Sequence, residues 1–222
     1  MPEDVAVFSA TAGYRHDSIG AGAAALAELA APEGLSVRHT EDPRELARLL
    51  AAGCAAVVFL SPTGEVLDDD ARRALRAYVT GGGGFLGVHA ATCAEYEWPW
   101  YGELTGARFI GHPAVQTAAV TVEDRGHPAT AHLPLVWEWT DEWYDFGAGP
   151  RGTGVRVLAS VDERRYEGGT MGADHPLVWC RQVGAGRSFY TALGHTASAY
   201  ADPRFRAHLR GALLWSAGRA QG

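Results

Sequence analysis

Gly81-Gly82-Gly83-Gly84-Phe85-Leu86-Gly87-Val88-His89-Ala90-Ala91 decides how this chain is read. A glycine run, sufficiently explained as a tight turn, feeds a short apolar strand that stops at an imidazole. In open α/β sheets, ligands bind beyond the carboxyl ends of the strands, so a polar side chain held there faces a crevice instead of the core. Gly87 and the small pair Ala90-Ala91 leave room for a sharp strand-to-helix turn, the geometry that lifts a catalytic side chain clear of the sheet on a nucleophile elbow. Here the elbow carries histidine in place of serine or cysteine. The glycines do not read as a phosphate loop, because they precede a strand instead of opening a helix and no Lys-Ser/Thr pair follows.

Working outward, strands and helices alternate. Val5-Ala6-Val7-Phe8-Ser9 reads as a strand buried on both faces, and Asp17 or Ser18 is placed to cap an alanine-rich helix that buries Ile19, Ala23, Leu26 and Ala30. A strand over 35–39 leads to Asp42-Pro43-Arg44-Glu45, which combines an N-cap acid, a first-turn proline and a capping-box carboxylate. A third strand over 55–60 precedes a helix from about 68 to 80. This alternation predicts a mostly parallel, doubly wound sheet with helices on both faces. After His89 the pattern changes to an aromatic-rich elaboration at about 95–150. Further strands are expected over 155–159, 176–182 and 186–193; the last also runs into a histidine, Gly194-His195. Asp202-Pro203 starts a terminal helix. With no repeat or linker, residues 1–222 read as one domain.

Composition narrows the function. A formal net charge of −7 with scattered arginines argues against nucleic-acid binding and for a small-molecule partner. There is no basic, apolar leader at the start and no apolar stretch long enough to span a membrane. Three widely spaced cysteines, Cys54, Cys93 and Cys180, suggest reduced thiols, so a cytoplasmic location is expected.

Nine histidines are many for this length, and several lie beside glycine or proline at loop edges. A single such histidine is more often a loop residue bonded to backbone. His89 and His195 differ, because both terminate strands of the central sheet and can face one crevice. Neutral imidazoles are common ligands of zinc and similar ions. His89 and His195, with His112 and a carboxylate such as Glu142, can supply a divalent-metal site, for zinc or manganese, although no local metal-ligand spacing is present. Asp141-Glu142-Trp143-Tyr144 adds two carboxylates and two amphipathic aromatics, suited either to acid–base work on a sugar or to a mixed core. Among the seven tryptophans, Trp100 and Trp179 are candidate substrate contacts with Tyr144, and Gln116 is placed to orient a hydroxyl. Exposed aromatics near Trp98 suit either a pocket or a homo-oligomer interface. Cys93, close to the elbow, is a further candidate nucleophile served by His195, against the simpler reading of buried packing.

Taken as a set, 8–16 with Gly13-Tyr14-Arg15-His16, Gly87-Val88-His89-Ala90-Ala91, Trp98-Pro99-Trp100-Tyr101, Gly111-His112-Pro113 with Gln116, His127-Pro128, Asp141-Glu142-Trp143-Tyr144, His175-Pro176 with Trp179, and Gly186-Arg187 to Gly194-His195 resemble the ThuA-like, trehalose-utilisation family. The resemblance runs in order over almost the whole chain. It implies a flavodoxin-like fold similar to the class I glutamine amidotransferases, with His89 where their cysteine stands and His195 where their histidine partner stands. A glutamyl thioester then cannot form, whereas two adjacent imidazoles make a metal pair. The family resemblance also implies a keto-sugar substrate, of 3-keto-disaccharide type, for a lyase or hydrolase step. A ketone at C3 acidifies the C2 proton, and His16, His112 or Glu142 can be the base that removes it. The rival from a different class is a non-catalytic carbohydrate-binding or regulatory protein on the same scaffold.

Overall fold

The computed structural model describes residues 3–222. One nine-stranded sheet runs through it in the order β2-β1-β3-β4-β11-β10-β9-β6-β7. β1 (Glu3–Phe8), β2 (Leu35–Thr40), β3 (Ala56–Leu60), β4 (Gly84–Val88) and β11 (Gly186–Thr191) are mutually parallel and form a flavodoxin-like doubly wound half. α1 (Ile19–Ala30) packs with α5 (Pro203–Ser216), and α2 (Pro43–Ala52) packs with α3 (Asp69–Thr80), as right-handed crossovers on opposite faces require. Covered on both faces, β3 and β4 are buried at every position, which explains their unbroken apolar reading.

In the second half the strand direction reverses. β10 (Pro176–Val183), β9 (Arg156–Val161), β6 (Gln116–Val122) and β7 (Val136–Asp141) extend the same sheet antiparallel. Much of the aromatic-rich elaboration is therefore sheet. α4 (Pro99–Thr105) and the small β5–β8 pair (Phe109–Gly111 with Asp145–Phe146) lie outside it. No helix among the described residues is long and apolar enough to cross a membrane.

Helix starts follow local chemistry with two corrections. Asp42, Asp68 and Asp202 accept hydrogen bonds from the first-turn amides of α2, α3 and α5; each such cap contributes about 1 kcal/mol. Neither Asp17 nor Ser18 caps α1; the Ser18 hydroxyl instead donates to Gly194 O at 3.3 Å, tying the helix start to the turn after β11. Glu45 closes no capping box and pairs with Arg48 at 2.9 Å.

Two histidines belong to the core. His208 and His127 are 0% exposed, and burial pushes each down to about 4. Both are therefore neutral in the folded protein, while in the unfolded chain they titrate near 6.5. The unfolded state takes up their protons first, so their contribution is complete above about 6.5 and is lost as pH falls toward 4. Urea midpoints are expected to fall between pH 6.5 and 5, and His208→Phe to flatten that slope. An unchanged slope in the variant contradicts this origin.

Candidate functional site

Four strand ends build the site. β1 leads through its loop to His16, β4 to His89, β7 to Glu142 and Tyr144, and β11 to His195. The backbone at His89 is left-handed, with φ of 51°. For a residue with a β-carbon this costs about 1–3 kcal/mol and persists only where the surroundings enforce it. They do so here: Tyr190 donates its hydroxyl to His89 O at 2.8 Å, and Tyr101 donates to Ala91 O at 2.8 Å. A Cβ at Gly87 would press on Ala91, Phe85 and Tyr190 at 3.1–3.2 Å, so glycine lets the elbow close.

Hydrogen bonding orients the rings. His89 Nδ1 lies 2.7 Å from Ala192 O and carries the proton, leaving a lone pair on Nε2. Around that nitrogen stand the Tyr144 hydroxyl at 2.8 Å, His16 Nε2 at 3.1 Å and Glu142 Oε2 at 3.4 Å. The same Oε2 is 3.2 Å from His195 Nδ1, while Oε1 is 3.4 Å from His112 Nε2. His112 Nδ1, 2.8 Å from Pro113 O, donates there and presents its other nitrogen to the carboxylate. The neighbouring carboxylate has different work. Asp141 accepts from the amides of Gly194 at 2.8 Å, His195 at 3.2 Å and Glu142 at 2.9 Å, and from the Trp139 indole at 2.8 Å. It thereby locks the ends of β7 and β11 together and positions both Glu142 and His195.

Ligand atoms of His16, His89, Glu142 and His195 all lie within 4.8 Å of one another. Burial, and next the adjoining His89, push His16 down to about 3, so its ring is neutral. Burial opposes ionisation of Glu142, yet contact with His195 and His89 overrides it and holds the carboxyl well below its usual range. Contact with Glu142 raises the pKa of His195 against burial. His16 Nδ1 is buried without a hydrogen-bond partner. Convergent imidazoles around an ionised carboxylate, with the His89 ring fixed by a backbone carbonyl, fit the donor set of a divalent cation of the zinc or manganese kind.

A cavity of about 530 Å³ opens on this cluster and is lined by His16, His112, Glu142, Tyr144, Cys93 and Tyr96 among others. A larger cleft, about 750 Å³, lies around Glu123 and Asp162, away from the histidines. Convergent chemistry, not volume, distinguishes the smaller one. A second group, Asp145, Glu163 and His175, has its donor atoms within 4.8 Å of one another. His175 nitrogens contact Glu163 Oε1 and Tyr144 O, both at 2.8 Å, and Glu163 also accepts from the Met171 and Gly172 amides. Those contacts occupy its donors and brace the backbone that carries Tyr144.

Of the residues singled out by sequence, His16, His89, His112, Glu142, Tyr144 and His195 come together. Three do not. Trp179 is 1% exposed, and its indole donates to Thr105 O at 2.8 Å inside the core. Trp100 is 8% exposed and packs on Trp98 at 4.9 Å. Gln116 bridges loops instead, giving to Glu167 O and accepting from Glu167 N at 2.9 Å each. An apolar ring offers the core as much as it offers a sugar, which is why composition misplaced the tryptophans. Cys93 lines the cavity, but burial pushes its thiol up to about 12, the wrong direction for a thiolate nucleophile. Sequence reading left Asp141 without a role of its own and passed over Tyr190; alternation along β11 places Tyr190 on a face but does not show that its hydroxyl supports the elbow.

Comparison with known proteins bears on the family and the fold. The model of the ThuA family, described as trehalose utilisation, matches residues 4–216. The fold is similar to a ThuA-like protein of Bacteroides uniformis ATCC 8492, with a TM-score of 0.78 and 22% identity over 97% of this chain and 91% of that one. It is also similar to a ThuA-like protein of Parabacteroides merdae ATCC 43184, with a TM-score of 0.79 and 21% identity over 98% and 90%. A β-galactosidase of Bacillus circulans shares the fold more distantly, with a TM-score of 0.62 and 14% identity over 96% of this chain but 31% of that one. No curated protein sequence matches. With nearly its whole length matched, the chain belongs to the ThuA family, the family of trehalose utilisation.

Proposed function

We propose that the protein is a metal-dependent enzyme of sugar catabolism that cleaves a keto-glycoside of the 3-keto-disaccharide type, by a lyase step or a hydrolase step. The convergence of His16, His89, His195 and Glu142, with His16 and Glu142 lining a sugar-sized cavity, supports this reading. These four would hold the ion, which when bound supplies Lewis acidity toward a substrate oxygen.

The remaining groups account for the protons. His112 lines the cavity with its Nδ1 anchored, so its Nε2 is the base for the proton on C2 of the substrate. The electrons of that C–H bond form the C1–C2 double bond, and the bond from C1 to the glycosidic oxygen breaks. The departing oxygen needs a proton. Burial raises the pKa of Tyr144 well above its usual range, so this phenol stays protonated and available as donor. The products are an unsaturated keto-sugar and a free alcohol; addition of water to the former turns the elimination into net hydrolysis.

The test is elemental mass spectrometry of protein purified without added metal or a histidine tag, followed by a 3-keto-disaccharide assay before and after chelation. Near-stoichiometric zinc, manganese or a similar ion, with turnover lost on chelation and restored by the ion, is expected. Protein that neither carries nor takes up an ion overturns the reading and leaves sugar binding without metal.

A further inference from the structure

The mouth of the histidine cavity is lined by two aromatic rings with no part in the chemistry above. Tyr14 and Tyr96 remain 67% and 48% exposed there, although most large aromatics of the protein are buried. Both are anchored. Tyr96 donates its hydroxyl to Phe109 O at 2.6 Å, and the Arg108 guanidinium covers its ring at 5.4 Å. Arg108 is itself held by the carbonyls of Ala94, Glu95 and Trp98 at 2.6–2.7 Å. Tyr14 stands edge-on to His16 at 4.9 Å, and its carbonyl accepts the Thr63 hydroxyl at 2.8 Å. The Tyr96 ring, held at its hydroxyl, loses little freedom when a ligand arrives, a condition that favours a productive stacking contact.

The two come from different loops, one after β1 and one after β4, and the polar cluster lies beyond them. Such a cavity suits an elongated ligand with a reacting end among the histidines and a second ring at the mouth. A pyranose presents C–H groups on its faces and hydroxyls around its rim, so it lies on tyrosine while its rim stays in water. The volume of about 530 Å³ falls in the range that encloses ligands of disaccharide size.

We infer that Tyr14 and Tyr96 form a second-ring subsite that selects disaccharides over monosaccharides. The inference deepens the proposed function by naming what binds beyond the reacting sugar, but stacking itself needs neither ion nor turnover.

Calorimetric titration with trehalose and with methyl α-glucoside tests it. Wild-type protein is expected to bind trehalose more tightly. Tyr14→Ala and Tyr96→Ala should each weaken trehalose binding about 3- to 10-fold, the factor one aromatic stacking contact supplies, while leaving methyl α-glucoside unchanged. Tyr14→Phe, which keeps the ring, should retain wild-type affinity. Metal content equal to wild type in each variant shows an intact floor. Equal losses for both sugars, no loss for either, or no trehalose binding by wild type overturns the subsite. Metal-free protein that still discriminates between the two sugars separates failure of the metalloenzyme reading from failure of this one.

Discussion

Gly84→Ala is expected to destabilise the protein by more than about 4 kcal/mol, a large part of the roughly 5–15 kcal/mol that holds a domain folded. A Cβ at this position would stand 1.8 Å from Ser216 O and 2.6 Å from Ser216 C. Neither side can yield easily. Gly84 opens β4, which is paired to β3 on one side and β11 on the other, and Ser216 is the last residue of α5. Gly82→Ala is the control: Gly82 has φ of 118° but open space where a Cβ would go, so backbone strain alone limits its cost to about 1–3 kcal/mol. Urea unfolding and soluble yield measure both. A Gly84→Ala protein within about 1 kcal/mol of wild type would show that α5 can move away from the strand.

Glu142→Ala is expected to lower affinity for the ion at least ~100-fold, the upper end of what is lost when only the support of a ligand is removed. The carboxylate faces His89, His195 and His112 at 3.2–3.4 Å, and without it the imidazoles have no negative charge to hold a cation among them. His89→Ala should remove the ion as well, with relief of the backbone strain at φ of 51° limited because alanine also carries a β-carbon. Elemental analysis gives the stoichiometry, and circular dichroism with thermal unfolding shows whether each variant is folded. Folded variants with wild-type metal content contradict the ligand assignment for His89 and Glu142 alike.

The parallel half of the fold was legible because its inner strands are buried on both faces and its helix starts carry Asp42, Asp68 and Asp202, so periodicity and capping point the same way. The antiparallel half was harder to read. β7 turns Trp137 and Trp139 inward, where aromatic residues read equally as pocket or core, and its pairing with β6 depends on contacts distant in sequence. In the site, histidines at the ends of β4 and β11 announced themselves by position. The division of labour between Asp141 and Glu142 did not, because adjacent carboxylates look alike until the Gly194 and His195 amides are seen to approach one of them. The glycine run shows the same limit: a turn accounts for it in sequence, but Gly84 serves helix packing against the sheet.

The sheet order also sets a timetable for synthesis. β11, the last strand to leave a ribosome, inserts between β4 and β10, in the middle of the sheet. Until it arrives, both neighbours present unpaired edges, the surfaces on which nascent chains mispair and aggregate. His195 follows that strand, so it cannot reach His16, His89 and Glu142 until β11 has been made and inserted. Closure of the central gap and completion of the histidine–carboxylate cluster are thus one event, and a chain cut short before β11 would lack both.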